Sequence, residues 1–230
     1  MNWTMKLFNI KWISIFMCSI IILGSCTNAT EKNKNVSALP YYKEATFTPQ
    51  WLSPDDKVLE DFHSISPFQL TNQEGEIVSD KTFDGKIYIT DFFFTICPGI
   101  CPKMTKNMRI LQEEFLEDNE VLLLSHSVTP EMDSVSVLKR YAEEKGIISK
   151  KWHLVTGTQQ DIYKLGRKDY FVEEDLGLEK EVDEFLHTEN FVLIDKNKHI
   201  RGIYNGLKKA SVNQLIADVK TLKKEYQEIE

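Results

Sequence analysis

The sequence predicts an α/β fold in which a mixed β-sheet is covered by helices on both faces. Three observations lead to this prediction. Strand-like apolar runs such as KIYITDFFFT and VLLLSHSV alternate with helical patterns, as in sheets that are buried on both sides. A hairpin pattern, FQLTNQEGEIVSD, comes before them. A second hairpin pattern, FVLIDKNKHIRGIY, comes near the end of the chain.

The strands are predicted from runs of apolar and β-branched residues. The first hairpin places two short strands around an Asn-Gln-Glu-Gly turn. In KIYITDFFFT, apolar residues occupy both alternating faces, so this strand belongs in the middle of the sheet. VLLLSHSV is a second buried strand and WHLVTG a shorter one, while the final hairpin turns at residues 195–198.

The helices are predicted from apolar residues that recur every three or four positions. Met104, Met108, Leu111 and Phe115 form such a stripe, and we expect the two methionines to be core residues. The predicted helices cover residues 102–117, 134–145, 158–168 and 211–228, the second of them ending at Gly146. This order of elements fits a thioredoxin-like domain with an added N-terminal hairpin.

The N-terminus has the form of an export signal. Lys6 and Lys11 precede an apolar run from Ile13 to Leu23, which is too short to span a hydrocarbon core of roughly 30 Å. The sequence Leu-Gly-Ser-Cys that ends at Cys26 resembles a bacterial lipobox, in which the cysteine is acylated. The alternative is a plain signal peptide with an incidental cysteine.

We therefore predict three parts: a lipoprotein signal peptide over residues 1–25, lipidated Cys26 with a polar tether over residues 26–60, and a thioredoxin-like domain over residues 61–230. Such a protein is exported and membrane-anchored, and it faces the periplasm or the cell exterior. Loss of residues 1–25 removes two lysines and no acidic residue, which leaves 26 basic and 35 acidic side chains and a net charge of −9. This balance argues against nucleic acid as a partner.

Two cysteines remain for chemistry in the stretch TDFFFTICPGICPKM. Pro102 restricts Cys101 and favours a helix start, so we predict Cys101 as the N-cap, with both sulfurs at the helix N-terminus. The partial positive charge there stabilises thiolates. Cys97 and Cys101 could form a structural disulfide, a redox couple or a metal clamp. A disulfide that closes so short a loop adds little stability, and thioredoxin-type couples have two intervening residues rather than three.

Two thiolates select Cu(I), and an added imidazole suits copper in either oxidation state. Five histidines could supply that imidazole. We expect His63 and His153 to be ordinary surface or packed residues and His199 to be solvated in a turn. His126 ends a buried strand beside the cysteine loop, and His187 precedes the FVLID strand in a loop that could fold over the same edge. His187 is the stronger candidate of the two.

Three blocks of the sequence resemble the Sco family, also called SenC, whose members are copper-handling thioredoxin-like proteins of cytochrome c oxidase assembly. They are DFFFTICPGICPKM, HSVTPEMDS, and FLHTENFVLID followed by IRGIYNG. The blocks stand in the family's order and together span residues 66–228, which is most of the mature chain. The resemblance is to the bacterial lipoprotein form of the family.

The resemblance implies that copper, as Cu(I) or Cu(II), is bound by Cys97, Cys101 and His187. Asp91 matches a position that is often acidic in bacterial members, where it would tune or orient the site or serve as a buried structural carboxylate. Thr129 and Leu186 depart from the family pattern, since each stands where many members have an aspartate. Such departures alter partner contacts or the basicity of the histidine without removing a ligand.

The resemblance implies a copper chaperone or metallation factor, rather than an enzyme, that delivers copper to the dinuclear copper site of cytochrome c oxidase subunit II or to another copper-accepting protein. The alternative is a thiol–disulfide reductase that uses Cys97 and Cys101 to keep the oxidase cysteines reduced. A thiol peroxidase is the weakest alternative. Thr95 stands two rather than three positions before Cys97, and Arg109 is the arginine nearest the motif.

Overall fold

A computed structural model describes residues 38–172, residue 186 and residues 188–229 of the 230-residue chain. The strands of this part are β1 (Gln69–Asn72), β2 (Ile77–Ser79), β3 (Ile87–Phe93), β4 (Val121–Ser127), β5 (Trp152–Thr156), β6 (Asn190–Ile194) and β7 (Ile200–Asn205). The α-helices are α1 (Cys101–Glu114), α2 (Val135–Lys145), α3 (Gln159–Lys164) and α4 (Lys209–Ile229). Short 3₁₀ helices cover Lys57–Asp61 and Asp80–Phe83, and a π-helical turn covers Leu165–Asp169.

The strands form one mixed sheet in the order β2-β1-β5-β4-β3-β6-β7. β4 runs parallel to both β3 and β5, whereas β6 runs antiparallel to β3. The carboxyl ends of β3 and β4 therefore lie side by side, next to the start of β6. We call this end of the strands the site end of the sheet, and the opposite end of the strands the far end.

Helices cover both faces of the sheet, as the sequence predicted. β3 is buried at every position, and its side chains alternate between two cores. Ile89 and Phe93 pack in the core shared with α1, α2 and α4. Tyr88 and Phe92 pack in the core that contains α3 and the π-helical turn. The arrangement confirms the predicted α/β class with its two hairpins.

The predicted helix over residues 158–168 divides into α3 and the π-helical turn. Gly166 lies in that turn, where a Cβ atom would be 2.9 Å from Leu186 Cδ1 and 3.1 Å from Phe92 Cε1. The missing side chain thus lets Leu186 pack directly against the turn. α2 ends as predicted at Gly146, whose φ of +68° is the left-handed conformation that favours glycine at a helix end.

Part of the segment that the sequence assigns to the tether packs against the fold at the far end. The Leu39 amide donates to Glu225 Oε1 at 2.6 Å, and the Arg201 guanidinium donates to the Leu39 carbonyl at 2.7 Å. Tyr42 forms a β-bridge with Ile200 of β7. The signal peptide and Cys26 lie outside the described residues and stay predictions. Among the described residues, no helix is both long and apolar enough to span a bilayer.

The expectation for His199 was wrong. Its side chain is buried rather than solvated, and its Nδ1 lies 2.9 Å from the His63 carbonyl oxygen. The rings of Tyr41 and Phe62 pack edge-on against it. The predicted hairpin turn is present, since the Lys198 amide donates to the Asp195 carbonyl. It is covered by the N-terminal segment, which the local sequence pattern could not reveal.

Candidate metal centre

A pocket of about 440 Å³ opens at the site end of the sheet. The loop from Cys97 to Cys101 forms one side of it. The remaining lining residues are Phe92, Phe94, Val128, Leu186 and Thr188. The pocket thus lies where the ends of β3 and β4 and the start of β6 come together, and it exposes the cysteine loop to a largely apolar space.

Helix α1 begins at Cys101, one residue earlier than predicted. The Ile100 carbonyl accepts hydrogen bonds from the amides of Lys103 and Met104, both at 3.0 Å. Ile100 is therefore the N-cap, Cys101 is the first helical residue and Pro102 is the second. Proline is tolerated there because the first-turn amides have no partner within the helix. Met104 and Met108 are fully buried, which confirms that they are core residues.

The two thiols have opposite acid–base properties. Burial opposes ionisation of Cys97, but hydrogen bonds from the Cys101 thiol and from the amides of Cys101, Gly99 and Ile100 outweigh it and lower its pKa. Burial, together with the hydrogen bond to Cys97, raises the pKa of Cys101 to about 12. Cys97 is partly exposed and Cys101 is buried, and both are free thiols. The pair therefore presents one accessible, readily ionised sulfur supported by one protonated sulfur.

Asp91 lies within β3 beneath this pair and is almost completely buried. It accepts a hydrogen bond from the Ser125 hydroxyl, which in turn accepts one from Trp152 Nε1 at 2.8 Å. Burial raises the pKa of Asp91 to about 7, although the Ser125 hydrogen bond works in the opposite direction. The negative charge of the Asp91 carboxylate is one of the contributions that raise the pKa of Cys101. Its predicted role in tuning the site stays a prediction.

His126 does not join the cysteines. β3 and β4 are neighbours as expected, but the alternation of side chains directs His126 to the opposite face of the sheet. Its ring stacks on Phe92 with centroids 4.7 Å apart, and its Nδ1 lies 3.1 Å from Thr90 Oγ1. Burial lowers the pKa of His126 to about 3, so the ring is neutral. No described residue hydrogen-bonds to its Nε2.

The other described histidines also lie away from the pocket. His63 Nε2 is 2.7 Å from the Asp169 carbonyl oxygen, and His153 lies half-buried on β5. Both are ordinary packed residues, as expected. Within residues 38–172, 186 and 188–229, no three His, Cys, Asp or Glu side chains are grouped so as to hold a metal ion.

His187, the predicted third ligand, lies outside the described residues, but its neighbours on both sides line the pocket. Leu186 is fully buried. Thr188 Oγ1 accepts a hydrogen bond from the Asn190 amide at 3.1 Å, at the start of β6. The Glu189 carbonyl accepts one from the Gly206 amide at 2.6 Å. Leu186, where many family members have an aspartate, thus fixes the chain immediately before position 187 by apolar packing.

Asp133, a fully buried carboxylate beside the cysteine loop, was not among the residues predicted from the sequence. It accepts hydrogen bonds from Thr95, Ser127 and Thr129. Thr129, the other departure from the family pattern, is thus one of its donors. The available sign was the concentration of hydroxyl residues in SHSVTPEMDS, because buried hydroxyls need an acceptor.

Fold and site together define a thioredoxin-like thiol protein with two sulfur donors at a pocket beside a helix N-terminus. A family model described as SCO1/SenC matches residues 57–224. The chain therefore belongs to the SCO1/SenC family, and the resemblance seen in the sequence is confirmed.

Solved structures agree with this assignment. A SCO1/SenC family lipoprotein from Bacillus anthracis str. Ames is 32% identical with a TM-score of 0.61, over 70% of this chain and 95% of that chain. BsSco, a member of the Sco family of cytochrome c oxidase assembly proteins with a disulfide switch, is 29% identical with a TM-score of 0.58, over 70% and 93%. ScoI of Bradyrhizobium japonicum, solved with copper bound, is 26% identical with a TM-score of 0.55, over 70% and 99%.

Proposed function

We propose that this chain binds copper through Cys97, Cys101 and His187 and delivers it to a copper-accepting protein, with the dinuclear site of cytochrome c oxidase subunit II as the recipient. One observation carries the proposal: Leu186 and Thr188, on either side of His187, line the same pocket as the two cysteines. Both are held by contacts within the fold. The residues that precede and follow His187 therefore line the same pocket as Cys97 and Cys101.

The donor set suits copper. Two sulfur ligands favour Cu(I), and a histidine adds a donor that copper accepts in both oxidation states. Cys97 is the sulfur whose ionised form is stabilised, whereas Cys101 keeps its proton to a higher pH. Binding to both sulfurs therefore releases the Cys101 proton, so copper affinity rises with pH.

The relatives support the recipient and the location. The Bradyrhizobium japonicum protein was solved with copper, and BsSco is described as a cytochrome c oxidase assembly protein. The Bacillus anthracis relative is a lipoprotein, which supports acylation of Cys26 and an exported, membrane-anchored chain. A partly exposed thiol beside an open pocket is accessible to a recipient's own cysteines.

A second function, thiol–disulfide reduction, is favoured by the asymmetry of the pair. The Cys97 thiolate would attack a partner disulfide, forming a mixed disulfide and releasing one partner thiolate. Cys101, once deprotonated, would then attack the Cys97 sulfur, closing the Cys97–Cys101 disulfide and releasing the second partner thiolate. The disulfide switch of BsSco agrees with such chemistry. A peroxidase is disfavoured because Thr95 donates its hydroxyl to Asp133 and Arg109 pairs with Glu113.

The two functions separate in a metallation assay. The Cu(I)-loaded chain is mixed anaerobically with a soluble copper-site domain of oxidase subunit II whose cysteines are already reduced, and recipient-bound copper is measured. We expect transfer from wild type and none from chains carrying Cys97→Ser or His187→Ala. The result that would contradict the proposal is a recipient that receives no more copper from the loaded chain than from an equal amount of a free Cu(I) complex. A matching assay starts from an oxidised recipient, in which activity of the His187→Ala chain would support the reductase.

A further inference from the structure

Asp133 connects the two loops that meet at the site end. Its Oδ1 accepts the Thr95 hydroxyl at 2.5 Å, and its Oδ2 accepts the Thr95 amide at 3.2 Å. The hydroxyls of Ser127 and Thr129 donate to the same Oδ2 at 2.6 and 3.1 Å. One carboxylate, with no exposed surface, therefore accepts four hydrogen bonds from two segments that are far apart in sequence.

The position of Thr95 gives this contact its importance. β3 ends at Phe93, and Thr95 lies two residues before Cys97. The loop that carries Cys97 is held at its C-terminal end by the first turn of α1, which begins at Cys101. At its N-terminal end, Thr95 donates two hydrogen bonds to Asp133. Asp133 in turn accepts a hydrogen bond from Ser127 at the end of β4.

We propose that Asp133 is the positioning residue of the cysteine loop, holding Cys97 beside Cys101 so that both sulfurs are available to one copper ion. The expected effect of Asp133 on copper affinity rests on the proposed function, whereas its effect on the conformation of the loop does not. The Cys97 sulfur interacts with the amides of Gly99 and Ile100, so its position depends on the backbone conformation of this short loop. Loss of the Thr95 hydrogen bonds would leave the N-terminal end of the loop unrestrained.

The chemistry of the four contacts explains why an aspartate stands here. An ionised carboxylate only accepts hydrogen bonds and can take several at once. The donors are three hydroxyls and one amide, all neutral. In an Asp133→Asn chain, the amide oxygen can take the place of Oδ2 and accept from its three donors. The NH2 group then takes the place of Oδ1, and the Thr95 hydroxyl can rotate to accept a hydrogen bond from it. An alanine leaves all four donors without this partner, which is costly in a buried site.

The test compares Asp133→Ala and Asp133→Asn with a matched pair at Asp195. Asp195 is also a buried carboxylate that accepts backbone amides, those of Asn197 and His199, but it lies at the far end of the sheet. Hydrogen exchange of the amides from Thr95 to Ile100 is measured in the metal-free, reduced full chain. Cu(I) affinity is then measured by competition with a chromophoric chelator.

We expect Asp133→Ala to accelerate exchange of the loop amides about tenfold, as the loss of a buried hydrogen bond implies. We expect it to weaken Cu(I) binding about tenfold, the lower end of the loss that is usual for direct partners of a metal ligand, because Asp133 acts on Cys97 only through Thr95. Asp133→Asn should recover most of both properties. The Asp195 variants should lower stability while leaving the loop amides and the copper affinity unchanged.

A double-mutant cycle with Thr95→Val tests whether Asp133 acts through Thr95, because coupled residues give non-additive effects. The proposal is overturned if Asp133→Ala changes only global stability, as its Asp195 counterpart does, or if its effect on the loop adds independently to that of Thr95→Val. If wild type binds no copper, the proposed function fails, while the exchange data still decide the role of Asp133.

Discussion

Buried carboxylates have different partners at the two ends of the sheet, a cation at the far end and neutral hydrogen-bond donors at the site end. At the far end, Arg201 is 2% exposed and contacts two buried carboxylates, Asp195 at 3.2 Å and Glu225 at 2.8 Å. The same guanidinium lies 3.9 Å from the ring centroid of Tyr41 and donates to the Leu39 carbonyl. Every one of these partners belongs to the fold itself, so the cluster ties the N-terminal segment, β7 and α4 together.

At the site end, the polar groups leave one reactive atom accessible. Asp133 is satisfied by neutral donors, Cys101 is buried, and Cys97 is partly exposed at an open pocket. Ile96, directly before Cys97, and Ile100, directly before Cys101, are 61% and 37% exposed. Charged groups at the far end are paired within the fold and join its segments, whereas at the site end neutral donors surround the buried carboxylate and one thiol remains partly exposed at the pocket.

The largest effect on stability is expected at the far end. Arg201→Met leaves Asp195 and Glu225 buried without their cation, which should lower the free energy of unfolding by about 3–5 kcal/mol. Denaturant unfolding of the reduced, metal-free chain measures this loss. Arg109→Met, which breaks the exposed pair with Glu113, is the control and should cost about 0–1 kcal/mol. Weakened copper binding by folded Arg201→Met would contradict the separation of the two ends.

A smaller, pH-dependent effect is expected at His126, on the opposite face of the site end. The folded chain keeps this ring neutral because burial lowers its pKa to about 3, whereas the unfolded chain takes up a proton below about 6.5. Stability is therefore lost as the pH falls from 7 to 5, by about 2 kcal/mol from this residue. Unfolding of wild type and His126→Phe at both pH values measures the difference. Equal pH dependence in the two chains would show that His126 is not held neutral.

The smallest effect concerns the exposed rim of the site. Ile96→Ser would replace an exposed apolar side chain next to Cys97, and if the proposed recipient docks there we expect copper transfer to slow by about fivefold, or roughly 1 kcal/mol, with Cu(I) affinity unchanged. Ile77→Ser is the matched control, because Ile77 is 60% exposed but lies on β2 at the edge of the sheet. Equal transfer rates for the two variants would show that Ile96 does not contact the recipient.

The sequence was most informative where a local pattern determines the outcome. The apolar faces of β3 and the stripe of Met104 and Met108 predicted their burial, and the Pro-Gly-Ile loop before Cys101 predicted two sulfurs at a helix start. The helix starts one residue earlier than expected because the Ile100 carbonyl already accepts helical hydrogen bonds.

The sequence was least informative where distant segments determine the outcome. His199 is buried by residues more than a hundred positions away, and Asp133 acquires its role only when β3 and β4 end side by side. His126 illustrates a third case. Its strand was predicted correctly, but the face on which its side chain lies depends on the register between strands.

Anaerobic titration of the reduced full chain with Cu(I), in competition with a chromophoric chelator, measures directly whether His187 contributes to copper binding. Wild type, His187→Ala and the control His153→Ala are compared, since His153 lies on β5 away from the pocket. We expect one copper per chain for wild type and for His153→Ala, and much weaker binding for His187→Ala. Weak binding that is the same in all three chains would contradict the Cys97–Cys101–His187 site.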